Sequence, residues 1–276
     1  MKRRRMCILL GFLLILSILV RAYYDTNYFK VAELQLTTTK LDNGQSFQIL
    51  QITDLHNKQF GTNNEKLIHK VKDIDADAIV ITGDLIDRKT SDLQPVFTLI
   101  ERLKEITSPI YFVSGNHEWE NEEKAAFFAG LTERGIQILD NQNQTLEIDG
   151  ITVNLTGVAD LSTNHDNIVK AMKGIHIQDF TVLLSHTPPI NSYDEYSDMI
   201  DIVLSGHTHG GQIRVPFIGA IVAPEQGLFP KHPGGLVSLY ENKQIYIDSG
   251  LGTSNVPIRL FNQSQMTLIT VVGENK

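Results

Sequence analysis

Five apolar runs of this chain each stop at side chains that bind metals or move protons. "QILQITDLH" ends in Asp54 and His56, "AIVITGDLIDR" passes through Gly83 and Asp84, and "IYFVSGNHEWE" closes on Gly115, Asn116, His117 and Glu118. "TVLLSHTPP" ends in His186, and "DIVLSGHTHGG" in His207 and His209. Runs so short and so apolar read as strands buried on both faces, bounded by turn residues. Strands are expected over 47–53, 78–82 and 110–114, with amphipathic helices over 64–74, 93–106 and 122–134 between and after them. A short extended stretch over 31–41 precedes them. From Gln137 the texture turns to β, with runs over 145–148, 152–157, 181–185, 202–204, 236–240, 244–248 and 266–272, a turn at Asn242 and Lys243, and one helix near 166–173. Strand–helix alternation followed by mostly β structure implies an α/β sandwich built on more than one sheet. Open α/β sheets place their sites beyond the carboxyl ends of the strands, which is where all five sets fall.

Taken singly, each set has a structural reading. Asp54 and His56 fit a turn that caps the next helix, Gly83-Asp84 is a common turn pair, and Asn116 tolerates the left-handed backbone of a tight turn. His186 alone reads as a satisfied core histidine. None of these explains why all five sets occur at the same kind of position. Carboxylate, amide and imidazole donors without thiolate suit Mn, Zn, Fe, Co or Ni, with Mn the first choice, over Ca and Mg. A shared carboxylate can hold two such ions about 3.5–4 Å apart, and a water between them becomes a hydroxide near neutral pH. That supplies a nucleophile without a nucleophilic side chain.

The N-terminus stands apart from this pattern. Lys2, Arg3, Arg4 and Arg5 precede an uncharged apolar run over 6–20, and Arg21 follows it. At about 1.5 Å per residue the run spans about 22 Å, less than the ~30 Å hydrocarbon layer. Two fates fit it: a cleaved export signal, with a weak site at 20–22, or a retained anchor in which Arg21 snorkels and Tyr23 and Tyr24 sit at the interface. Retention is favoured. Either fate keeps the basic end cytoplasmic and puts the remainder outside. The domain plan is therefore a signal-anchor at 1–22, a linker with the first extended segment at 23–40, and one large domain at 41–276. The single cysteine, Cys7, lies in the leader, which excludes disulfides and thiolate zinc sites from the rest. Residues 1–22 hold five basic and no acidic residues, so the remainder has 19 basic against 32 acidic, a formal −13. Such a surface is a poor match for nucleic acid, and no nucleic-acid partner is expected. Oligomeric state has no signature in the residues.

In order and in residue type, the five sets resemble the calcineurin-like metallophosphoesterases, over about residue 45 to the C-terminus. "GHTHGGQI" and "DSGLGTSNVPIR" look like its membrane-anchored bacterial branch, which includes UDP-2,3-diacylglucosamine pyrophosphatases. The resemblance implies a four-layer α/β/β/α sandwich of two facing mixed sheets with helices outside. It implies that Asp54, His56 and His209 hold one divalent metal, that Asn116, His186 and His207 hold a second, and that Asp84 bridges the two. His207 and His209 would diverge across a turn to face different ions, and Gly210 and Gly211 would let substrate or backbone come close. His117 would touch the substrate phosphate and protonate the leaving oxygen. Around these, Glu118 would orient His117, Asp87 and Arg88 would buttress the bridging loop, Asp160 would line the cleft, and Arg259 would either meet a substrate phosphate or pin the tail. The leading expectation is a metal-dependent hydrolase of phosphodiester or pyrophosphate bonds, working on a phosphate-containing membrane or envelope substrate. An idle binding module and a hydrolase of a non-phosphate bond are the alternatives, and the first is disfavoured because no ligand is missing.

Overall fold

Two six-stranded mixed sheets face each other. The computed structural model describes residues 2–240, 243–254 and 256–274, so the turn expected at Asn242 lies outside the described residues. The first sheet runs β1 (Phe29–Thr38), β16 (Ser264–Gly273), β2 (Ser46–Ile52), β3 (Ala78–Thr82), β4 (Ile110–Val113), β5 (Gln137–Ile138). Its strands are parallel except where β16 meets β2. The second runs β14 (Gly235–Tyr240), β15 (Lys243–Ile247), β9 (Ile202–Ser205), β8 (Phe180–Leu184), β7 (Ile151–Gly157), β6 (Gln142–Ile148), with antiparallel pairing only at its two edges.

Burial explains the composition of each strand. Every residue of β3 is inaccessible to solvent or nearly so, and a strand covered on both faces has no reason to alternate. Phe47, Ile49, Val80, Val113, Val153, Leu155, Val182 and Leu204 fill the space between the sheets. The outer face of the first sheet, with Leu50, Ile79, Ile81 and Phe112, is covered by α2 (Glu65–Lys72), α3 (Gln94–Lys104) and α5 (Lys124–Glu133). The outer face of the second, with Leu183 and Val203, is covered by α6 (Ile168–Ala171) and a 3-10 turn at Asp194–Met199. The layer order is thus α/β/β/α. A short helix, α4 (Asn116–Glu120), starts directly after β4. Between β9 and β14 lie two small hairpins, β10 (Arg214–Val215) with β11 (Gly219–Ala220), and β12 (Val222–Ala223) with β13 (Gly227–Leu228).

At the N-terminus the structure is more continuous than the expected signal-anchor and linker. The helix is not confined to the apolar run: α1 spans Lys2–Asn27, 26 residues, or about 39 Å at 1.5 Å per residue, and it is long and apolar enough to cross a membrane. The extended segment expected within 23–40 is present, but no free linker precedes it. The first residues of that range finish α1, and Phe29–Thr38 is a ten-residue strand zipped in register to β16. The apolar run marks the body of such a helix but not its end, because Tyr23 to Asn27 continue the helical backbone while they leave the apolar pattern.

Candidate metal centre

The loops after β2, β3, β4, β8 and β9 meet at one edge of the facing sheets. Asp54, Asp84, Asn116, His117, His186, His207 and His209 are all buried there. His209 Nε2 lies 3.4 Å from Asp54 Oδ1 and 3.1 Å from His56 Nε2. Asp84 Oδ2 lies 3.5 Å from His56 Nε2 on one side and 3.2 Å from His186 Nε2 on the other. The Asn116 amide oxygen is 3.3 Å from His186 Nε2 and 3.1 Å from His207 Nδ1. Donors held 2.0–2.2 Å from a common ion at right or tetrahedral angles sit about 3–3.5 Å apart, so these spacings are those of ligand sets. Asp54, His56 and His209 form one group able to hold a metal, and Asp84 belongs to two others, with His56 and His117 and with Asp54 and His186.

Electrostatics point the same way. Burial pushes Asp54 up to about 7, with Asp84 adding to the rise and His186 opposing it. Burial also pulls His56 down to about 3 and His207 to about 4, and holds His209 well below its usual range. Neutral imidazole is the metal-binding form. For His186 burial works against the charge, but the Asp84 carboxylate prevails and raises it well above normal. Two buried carboxylates have His56, His207 and His209 held neutral beside them and only His186 drawn toward charge, an arrangement that asks for more positive charge. The oxygen and nitrogen donor set, without sulfur, fits divalent cations.

The backbone is bent to deliver these atoms. Asp54, His56, Asp84, His207 and His209 all have positive φ, between 46° and 71°, a region that costs a non-glycine residue about 1–3 kcal/mol. A side chain at Gly206 would collide with Thr53 and Asp54, and one at Gly115 with Asp84; these glycines let the ligand loops nest. Gly210 and Gly211 serve packing, since a side chain would meet Ser249 and Asn262 at the first and Ala220 at the second. His207 and His209 do diverge, the first toward Asn116 and the second toward Asp54 and His56.

The model of calcineurin-like phosphoesterases matches residues 47–211, the stretch that holds every residue named in these sets. The chain belongs to the calcineurin-like phosphoesterase family. YkoQ, a Bacillus subtilis metallophosphoesterase, is 30% identical over 263 residues, covering 94% of this chain and 96% of the relative. A transmembrane protein with a metallophosphoesterase domain from Bos taurus is 29% identical over 240 residues, 80% of this chain and 52% of its own length. Among solved structures, GAP50, the anchor in the inner membrane complex of Plasmodium, superimposes with a TM-score of 0.50 at 12% identity over 82% of this chain and 81% of its own, which is a likeness of fold. The chain is thus a phosphoesterase hydrolase with residues placed to bind divalent metal.

Within this calcineurin-like phosphoesterase the supporting residues differ from expectation. Glu118 does not orient His117. Its carboxylate accepts from the backbone of Asp84 (2.8 Å), Gly115 (2.8 Å) and Ile86 (3.2 Å), and so ties the Asp84 loop to α4. The carboxylate nearest His117 Nδ1 is Asp87, whose Oδ2 lies 3.6 Å away, beyond hydrogen-bond distance. Arg88 lies across the face of the site, Nη1 2.6 Å from His117 Nε2, and pairs with Glu120. Asp160 accepts from Thr187 and Ser162 at 2.6 Å and braces the loop after β8. Of the two roles expected for Arg259, its contacts are those of the residue that pins the tail. It is inaccessible to solvent, and its guanidinium donates to the carbonyls of Ser249 (2.6 Å), Gly252 (2.8 Å) and His209 (3.4 Å). Thr26 was missed altogether: its hydroxyl accepts from the Arg259 backbone N–H at 2.8 Å. No local pattern flags such a residue, since a threonine at a helix end is ordinary.

Proposed function

We propose that this protein is a dinuclear phosphoesterase that cleaves phosphodiester or pyrophosphate bonds of a membrane or envelope substrate, held at the bilayer by α1. The observation that supports it most is the position of Asp84 Oδ2 between His56 and His186, where one carboxylate serves two ligand sets. Asp54, His56 and His209 form the first set, Asn116, His186 and His207 the second, and Asp84 belongs to both. Two divalent cations, Mn first among the candidates, would supply Lewis acidity at the phosphoryl oxygens and an activated water.

The remaining roles belong to the chain's own residues. His117 Nε2 faces the site and accepts from Arg88; with Arg88 turned to the phosphate, Nε2 can take a proton from solvent and give it to the leaving oxygen, a contribution of about 100- to 10,000-fold. Arg88, whose Nη1 points at the same nitrogen, is placed to bind a non-bridging phosphate oxygen and to release His117 as it does so. Glu118 keeps Asp84 in register. The acidic domain disfavours long polyanions, whereas a cationic centre accepts one phosphate at a time. The basic N-terminus of α1 supports a cytoplasmic position for that end, with the catalytic domain outside.

The purified full chain, metal-stripped and reloaded with Mn²⁺, Zn²⁺ or Fe²⁺, is assayed on phosphomonoesters, phosphodiesters and nucleotide-diphosphate lipids, with elemental analysis of the same samples. Metal-dependent hydrolysis of diester or pyrophosphate bonds at two ions per chain is expected. Full activity at one ion per chain removes the dinuclear reading, and no hydrolysis with any ion removes the phosphoesterase reading. Protease digestion of the domain in intact spheroplasts tests the topology; protection reverses it.

A further inference from the structure

A cavity of about 370 Å³ abuts the centre at His209. Thr208 and His209 form its inner end, and Ile213, Ile221, Val222, Ala223, Pro224 and Val256 form its walls. Among the described residues the walls are mostly aliphatic, with Gln212 and Ser254 the polar exceptions, and the one ring that lines them, the His209 imidazole, is already engaged with Asp54 and His56. The cavity is not a closed core void, since Val222 is 52% exposed and Val256 44%.

The hairpins around this cavity are apolar where they face outward. Phe217, Ile218, Leu228 and Phe229 are all more than half exposed, a patch that a water-facing surface does not normally carry. Segment 256–261 connects this region to α1. On one side Ile213 bridges Leu260, and the Gln212 side chain donates to the Ile258 carbonyl at 3.0 Å. On the other, the Arg259 N–H binds Thr26 and Arg21 lies 5.6 Å above the Phe261 ring. One wall of the cavity is therefore also the seat of the helix that is long enough to span a bilayer.

We propose that this cavity receives an acyl chain of the lipid whose phosphate is cleaved, with the β10–β13 hairpins resting in the headgroup layer. The inference rests on the phosphoesterase reading of the adjacent centre and specifies its substrate as acyl-bearing. A phosphate at the centre has His209 on the cavity side, so a chain attached to it enters the aliphatic walls without crossing water. Each buried methylene then strengthens binding about threefold to fourfold.

The test titrates ethyl, butyl, hexyl and octyl phosphate, all below their micellar concentrations, into the Mn²⁺-loaded full chain in nanodiscs by calorimetry. The dissociation constant is expected to fall about threefold per methylene in the unaltered protein. Ala223→Trp, which fills the cavity, and Val256→Asp, which charges its rim, are expected to flatten that dependence to less than twofold per methylene. Equal affinities along the series in the unaltered protein overturn the proposal. So does a dependence that persists in Val256→Asp, which would show the chains settling in the bilayer or elsewhere on the protein. Val256 is at the rim, so that variant keeps the test alive if Ala223→Trp fails to fold. Hydrolysis of bis-p-nitrophenyl phosphate is measured on the same samples: flat affinities with retained turnover remove the acyl cavity alone, whereas chain-length dependence without turnover removes the phosphoesterase reading alone.

Discussion

Two regions leave the same edge of the second sheet and differ in almost every respect. The turns after β8 and β9 are polar, buried and bent into positive φ at His207 and His209. The hairpins β10–β13 that follow within a few residues are apolar and largely exposed. A site that does chemistry needs its donor atoms fixed to within fractions of an ångström, so its loops are locked by neighbours such as Glu118 and Arg259. An exposed apolar surface with no such chemistry to perform is set by its character and area rather than by fixed coordinates. Positive φ occurs in both regions, at His207 and His209 and again at Phe217, Glu225 and Phe229; what sets the site apart is that its strained residues are buried and held by neighbours, whereas those of the hairpins stand at the surface.

The first way to break this comparison has the largest expected effect. Asp84→Ala removes the carboxylate between the ligand sets, and turnover is expected to fall by at least about 1,000-fold, several kcal/mol of transition-state stabilisation. Elemental analysis should show metal lost from both positions together, and loss from one only would argue against a shared ligand. Next, His117→Ala is expected to keep its metals and lose about 100- to 10,000-fold in kcat on alkyl esters, less on nitrophenyl esters whose leaving oxygen needs no proton. Equal losses on both would make His117 an electrostatic contact only. Glu118→Gln replaces two acceptor oxygens by an oxygen and a donor facing backbone N–H groups; metal affinity, followed by competition with a chelator, should weaken about 10- to 100-fold.

Two smaller effects sharpen the contrast. Thr26→Val strands the Arg259 N–H in a buried place, at about 1–3 kcal/mol. Thermal unfolding should register it, together with a weaker metal at the His209 position, and an unchanged metal affinity would mean that α1 is merely attached. Phe217→Ser, at a side chain wholly exposed to solvent, should shift stability by no more than about 0.5 kcal/mol while reducing association of the domain with lipid vesicles. A large fall in melting temperature there would place Phe217 in the fold rather than at the bilayer.

How much of this was legible in the sequence divides along the same line. Strand ends were readable because burial on both faces leaves long apolar runs, as in β3, and because the ligand types stand out at their ends. The Asp54, Asp84, Asn116, His186, His207 and His209 cluster follows from those ends once the strands lie side by side. Glu118 and Arg259 were visible as candidates, but their partners are backbone groups contributed by distant loops, and one chain read in order does not show which carbonyls converge. The β10–β13 hairpins were not visible, because two-residue strands are too short for any periodicity. The pairing of β1 with β16 joins the two ends of the domain through contacts separated by more than two hundred residues, and nothing local encodes that.

The direct passage from α1 into β1 has a kinetic consequence. With only Tyr28 between the helix and a strand that is zipped to β16, the domain has no slack with which to reach or turn. In a chain held by α1, the centre stays at one height above the bilayer and meets only what drifts sideways beneath it. The search is then two-dimensional, and turnover follows the mole fraction of substrate within the membrane rather than its amount per volume of solution. Diluting the substrate with inert lipid at constant bulk concentration slows such an enzyme; diluting the whole suspension with buffer does not.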